Sequence, residues 1–402
     1  MFENNNMEKL IEKYIKKLDQ TPLSHFRSLL GEIDWSNRFV GIKGARGTGK
    51  TTLLLQHILK SELPQDQTLY VSLDDLYFTE NKLVDLVDLF VKEGGKHLLV
   101  DEVHRYPNWS IELKNIYDDH PELQIVFTGS SLIHIEQAKG DLSRRAVFYE
   151  LFGLSFREFL SFSGVADFKK LTLEDILADH ISTSRLICKE IKPLAWFKQY
   201  LQYGYYPYFS ENKDTYHQKL AETINVALST DLPGVHKLNY RSIEKIRLLL
   251  HVLAESVPFK PNISKLSERI EVSRNQLLAF LKYLEDMRIV WKLYTDSSGI
   301  SRLQKPEKLY LSHPNLFYAL TGANSNIGSI RESFFISQLS TLHQVEYTKI
   351  GDFRIGNRTF EIGGRSKSQK QIKNVERAFI AADEIEIGYK NKIPLWLFGF
   401  LY

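Results

Sequence analysis

Residues 44–51 read Gly44-Ala45-Arg46-Gly47-Thr48-Gly49-Lys50-Thr51, and no other stretch of the 402-residue chain restricts its fold as much. They fit G-x-x-x-x-G-K-S/T without a mismatch. The apolar run RFVGIK precedes them and the helix-like TTLLLQHILK follows. A strand, a glycine-rich loop and a helix in that order let backbone N–H groups curl inward onto phosphate oxygens. The helix start adds a favourable dipole for an anion. Lys50 is placed to reach the β- and γ-phosphates, and the Thr51 hydroxyl to ligate Mg²⁺. The predicted nucleotide contacts are Gly44, Ala45, Arg46, Gly47, Thr48, Gly49, Lys50, Thr51 and Thr52. The predicted ligands are ATP and Mg²⁺.

A second element supports the first. The apolar run HLLVDE ends in Asp101 and Glu102, some fifty residues after the loop. Asp101 is expected to hold Mg²⁺ through water, and Glu102 to act as general base on the attacking water. An acid in that position favours hydrolysis over binding alone. The run LQIVFTGSS ends in Thr128, Gly129, Ser130 and Ser131. A polar side chain there, Ser130 first, is expected beside the γ-phosphate. Arg144 and Arg145, in GDLSRRAVFYEL, are candidates for an arginine finger. The expectation for the pair is the C-terminal edge of the sheet, where open α/β sheets bind ligands.

Short apolar runs alternate with helical stretches from RFVGIKG to AVFYELF, the pattern of βαβ units around a parallel sheet. The fold class expected is α/β. It is a P-loop NTPase parallel sheet, followed by helical, winged-helix and α/β parts. The expected divisions are an N-terminal helix at 1–29, the P-loop domain at 30–155 and a helical region at 156–240. A winged-helix-like domain at 241–320 and an α/β terminus at 321–402 follow. In the winged-helix stretch, residues 242–295 give three helical patterns in a row, and the strand-like runs IVWKLYTD and KPEKLYLS follow. In the terminus, TFEIGG and PLWLFGFL read as strands and KNVERAFIAADEI as a helix.

Composition excludes some classes. No apolar run approaches the roughly 18–20 residues of a membrane span, so no membrane is expected as a partner. A single cysteine, Cys188, leaves no internal disulfide and fits a reducing, cytoplasmic setting. The net charge of +3 does not describe a strongly electrostatic nucleic-acid binder.

The phosphate loop, LLVDEVH, Pro107-x-Trp109 with LKNIYDD, FTGSS, and SRR with FGLSFREFL together resemble one family. It is the bacterial and archaeal ATPases of the AAA superfamily that carry a C-terminal domain of unknown function. The GYYP segment and FEIGGRSKSQKQI resemble that family's C-terminal part. The resemblance implies an ATPase sheet of the AAA-like, additional-strand catalytic-Glu type, a winged helix and a nuclease-like α/β terminus. Restriction-type nucleases use carboxylates on adjacent strands with a lysine, D…(D/E)-x-K. Asp352, Glu361, Glu332 and Gln371 supply counterparts. The lysine does not follow Glu361, since Ile362 and Gly363 stand there, and Lys367 has to swing back. The module therefore reads as a degenerate nuclease.

The function expected is a Mg²⁺-dependent ATPase acting as a nucleotide-driven switch for its C-terminal module. The alternatives are a DNA-binding ATPase with residual nuclease activity and a non-hydrolysing scaffold. DNA through the winged helix, a protein partner and self-association stay open as partners.

Overall fold

A computed structural model describes residues 2–130, 142, 144–236, 238–255, 261–295, 305–322 and 326–402. It divides into two compact units, 1–152 and 153–402.

The first unit is built on strands β1 (Phe39–Lys43), β2 (Thr68–Ser72), β3 (His97–Asp101), β4 (Gln124–Gly129) and β5 (Val147–Glu150). All pairings are parallel, in the order β2-β3-β4-β1-β5. Parallel strands covered on both faces are apolar throughout, and every residue of β1 is buried. Successive side chains then take opposite faces. Phe39, Leu98, Val100, Ile125 and Phe127 enter one core with helices α4 (Leu83–Lys92) and α5 (Trp109–Asp119). Val40, Ile42, Leu99, Val126 and Tyr70 enter the other with α1 (Phe2–Asp19) and α3 (Lys50–Lys60). The sequence predicts a helix over 7–30. The structure ends α1 at Asp19, and only the four-residue α2 (Leu29–Glu32) follows before β1.

Strand β4 lies between β1 and β3, so the strand after the loop is not the loop's neighbour. Lys43 pairs with Gly129, Val100 with Phe127 and Ser72 with Asp101. The loop, Asp101 and the end of β4 thus meet at one sheet edge.

His57 on α3 is buried and stacks on Trp35 at 3.6 Å between ring centroids. Burial holds its imidazole down at about 4, with His97 adding to the effect. A histidine neutral in the fold and free to protonate near 6.5 in the open chain carries a definite sign. Its stability contribution is complete above pH ~6.5 and is lost as pH falls towards 4, in all about 3 kcal/mol. His57→Phe, which keeps a ring on Trp35, is expected to flatten the acid limb of urea-unfolding stability between those pH values. An unchanged slope rules out this histidine as the source.

The second unit begins with helices, including Phe156–Phe162, Leu173–Glu190 and Pro193–Tyr203. Helices Tyr240–Glu255, Ile263–Arg269 and Arg274–Asp286 follow. Asn262 and Ser273 cap the last two through their side chains. The antiparallel pair β6 (Val290–Leu293) and β7 (Lys308–Leu311) comes next. A second sheet runs in the order β12-β11-β10-β9-β8. Its strands are β8 (Glu346–Tyr347), β9 (Phe353–Ile355), β10 (Arg358–Gly363), β11 (Ala378–Ala382) and β12 (Lys392–Pro394).

Two expectations fail in the terminus. KNVERAFIAADEI contains a strand, because Ala378–Ala382 pairs in parallel with both β10 and β12. Tertiary pairing there overrides alanine's helical preference. PLWLFGFL is mostly tight helical turns over Leu395–Phe400. Every residue of that run is buried, and a short run apolar on all sides carries no period to separate strand from helix.

Candidate nucleotide site

The loop has the backbone that its glycines permit. Gly47 and Gly49 sit at φ 84° and 94°, a left-handed region that side chains disfavour. A Cβ at Gly44 would run into the Leu151 carbonyl. Helix α3 starts at Lys50, and the Leu53 N–H bonds the Gly49 carbonyl. The N–H groups of Lys50, Thr51 and Thr52 are those that open onto an anion at a helix start. Thr48 is buried and donates to the Ala45 carbonyl at 2.9 Å, whereas Arg46 is exposed. Lys50 is 4% exposed and folds back on the loop, with Nζ 3.0 Å from the Gly44 carbonyl and 3.1 Å from that of Ala45.

Asp101 is buried and meets donors from four directions. Thr51 Oγ1 donates to Oδ2 at 2.5 Å and the Tyr70 hydroxyl to the same oxygen at 2.9 Å. Thr128 Oγ1 and the Glu102 N–H (3.1 Å) donate to Oδ1. Burial and the Asp101 charge push the Tyr70 phenol far above its ordinary range, so it stays a donor. A hydroxyl and a carboxylate in contact beside a phosphate loop form a hard-oxygen donor set, which suits Mg²⁺.

Glu102 sits at φ 53°, uncommon for a residue with a side chain and costing roughly 1–3 kcal/mol. Ser130 Oγ donates to its Oε2 at 2.9 Å. His104 lies against both, with Nδ1 3.2 Å from Glu102 Oε2 and Nε2 3.2 Å from Ser130 Oγ. The structure thus brings Lys50, Thr51, Asp101, Glu102 and Ser130 to one edge. Ser131 lies outside the described residues.

Arg144 and Arg145 are at the other edge, which corrects the expected position. Val147 pairs with Val40 near the start of β1, so residues just before β5 belong where the strands begin. A strand parallel to its neighbours is always entered from that edge. Arg145 there binds Asp118 of α5 through Nε (2.8 Å) and Nη2 (2.9 Å), and Arg144 is exposed.

No sequence motif marks Tyr70, Thr128's bond to Asp101, His104 or Arg27. Only His104 had a local signal, two residues after Glu102. Arg27, buried, donates to the Thr48 carbonyl at 2.7 Å and to that of Phe152 at 2.8 Å.

An AAA domain model matches residues 36–160. The first unit holds an AAA-type P-loop domain. A model for a domain of unknown function matches residues 194–327. An uncharacterized protein of Methanocaldococcus jannaschii is 26% identical over 279 residues, 66% of this chain and 59% of that protein. The chain thus matches less than two thirds of that relative's length. A Walker-type ATPase of Pyrococcus abyssi superposes with a TM-score of 0.41 at 13% identity, covering 72% of this chain and 93% of that one. AMPPCP-bound DnaA of Aquifex aeolicus does so at 0.25 and 15% identity, covering 64% and 84%. No helix among the described residues is long and apolar enough to cross a membrane.

The second unit has its own charged cluster. Lys308 Nζ lies 3.5 Å from Glu332 and 3.5 Å from Asp352. Tyr310 donates to Glu332 at 2.6 Å. Lys367 does swing back and pairs with Glu361. Its side chain occupies the space that a Cβ at Gly363 would need. Gln371 is exposed. Among the described residues no three His, Cys, Asp or Glu side chains are grouped to hold a metal ion.

Proposed function

We propose that the AAA domain binds ATP with Mg²⁺ and hydrolyses it, and that its nucleotide state acts as a switch for residues 153–402. The observation that carries hydrolysis is the grouping of Thr51, Asp101 and Glu102 beside the Lys50 loop. Mg²⁺, held by Thr51 and through Asp101, would neutralise phosphate charge. Lys50 exchanges its loop carbonyls for phosphate oxygens. Glu102 takes a proton from water as the water oxygen bonds the γ-phosphorus and the bond to ADP breaks, releasing ADP and phosphate.

The switch reading rests on how close the loop lies to the end of the first unit. The Leu151 N–H bonds the Lys43 carbonyl at 2.7 Å, and Arg27 spans the Thr48 and Phe152 carbonyls. Movement of the loop on phosphate binding is felt directly at residues 151–152.

The order of three helices and an antiparallel strand pair at 240–311 supports a winged helix-turn-helix. Two of its basic side chains are engaged within the unit, which supports a protein partner over DNA, while Arg274 at the start of the third helix is exposed. Lys282 is paired with Asp286 (2.6 Å) and Glu285 (3.7 Å), and Arg288 lies over Trp291.

The test is phosphate release from ATP by the whole chain, with and without Mg²⁺, in the presence and absence of plasmid DNA. Mg²⁺-dependent turnover is expected, with the plasmid intact, because Lys308 already stands between Glu332 and Asp352. No turnover overturns the ATPase. Cleavage lost in Asp352→Ala establishes the nuclease alternative instead.

A further inference from the structure

We propose that Tyr70 is a positioning residue for the metal-binding carboxylate of Asp101, and that helix α1 takes part in the nucleotide site through Lys17. The proposal rests on the Mg²⁺–ATP reading of this site and adds a residue that no sequence motif marks.

A carboxylate has about four lone-pair positions. At Asp101 they are met by Thr51, Tyr70, Thr128 and the Glu102 N–H. A hydrated cation needs some of that capacity. The Thr51 and Thr128 hydroxyls rotate about one bond and can turn to new partners. The Tyr70 ring cannot. It is 3% exposed, enclosed in the core under α1, with Tyr14 stacked on it at 6.1 Å. Its oxygen accepts from Lys17 Nζ at 3.2 Å, and the same ammonium stands 5.0 Å from the ring centroid. A cation donating into the phenol oxygen polarises the phenolic O–H towards Asp101, since hydrogen bonds in a chain strengthen one another. Tyr70 therefore fixes the plane of Asp101 while the threonines exchange partners, so the carboxylate meets the cation preoriented.

The readout is the gain in ATP affinity that Mg²⁺ confers, measured by titrating ATP into the whole chain with Mg²⁺ and with EDTA. Tyr70→Phe removes one oxygen and keeps the ring. It is expected to leave affinity in EDTA unchanged and to reduce the Mg²⁺ gain about tenfold, the effect of one charge-assisted hydrogen bond. A merely structural role would weaken both affinities alike. If Tyr70→Phe loses its native circular dichroism, Lys17→Met tests the same link from the surface, with the gain reduced about twofold. An unchanged gain in folded Tyr70→Phe, or in Lys17→Met where that variant replaces it, overturns the proposal and leaves the ATPase standing. A wild-type chain that binds no ATP with Mg²⁺ overturns both.

Discussion

Glu102→Gln is expected to retain ATP affinity and to slow turnover at least about 10²-fold, the usual contribution of a general base. The amide matches the carboxylate in shape and still accepts from Ser130, whose hydroxyl lies 2.9 Å from Oε2. It cannot take a proton from water. The backbone at φ 53° is equally accessible to glutamine, so the fold should not move. Steady-state phosphate release beside an equilibrium ATP titration separates the two quantities. Parallel losses in both would mean that Glu102 shapes the site rather than acting as base. Unchanged turnover would remove it from the chemistry.

Lys50→Ala is expected to weaken ATP binding by roughly 10²-fold or more, since it deletes the cation aimed at the phosphates. Its ammonium is buried at 4% exposure and already sits at the loop, on the Gly44 and Ala45 carbonyls. Little reorganisation is needed for it to trade them for phosphate oxygens. The variant also strips a donor from those two carbonyls, at a cost of about 1 kcal/mol each where water cannot replace it. A thermal melt must therefore accompany the calorimetric titration. Native-like melting with lost binding identifies the lysine as a phosphate ligand. Unchanged affinity contradicts the phosphate-loop assignment.

The loop was legible because its chemistry is local. Eight consecutive residues carry the glycines that turn the chain, the lysine and the hydroxyl, and strand and helix flank them directly. Asp101 and Glu102 were legible for a similar reason, as acids ending a buried strand at a suitable distance. The arginine pair was misplaced although the information was present. If AVFYELF is parallel to RFVGIK, what precedes it lies at the edge where strands begin, away from the phosphate loop. Val40 facing Val147 shows that direction.

The α/β class, the phosphate loop with its helix, and the apolar strands can all be read from the residues alone. Each follows from side-chain period and from backbone needs within about a turn or a strand of chain. It took the folded sheet to place β4 between β1 and β3, and so Thr128 and Ser130 beside Asp101 and Glu102. Only the tertiary structure brought Tyr70 from β2 under Asp101, and Lys17 from α1 onto Tyr70. It also returned Lys367 to Glu361 and made a strand of Ala378–Ala382. Such neighbours are set by strand order and pairing between segments far apart in the chain, and local propensity holds no record of which strand will lie beside which.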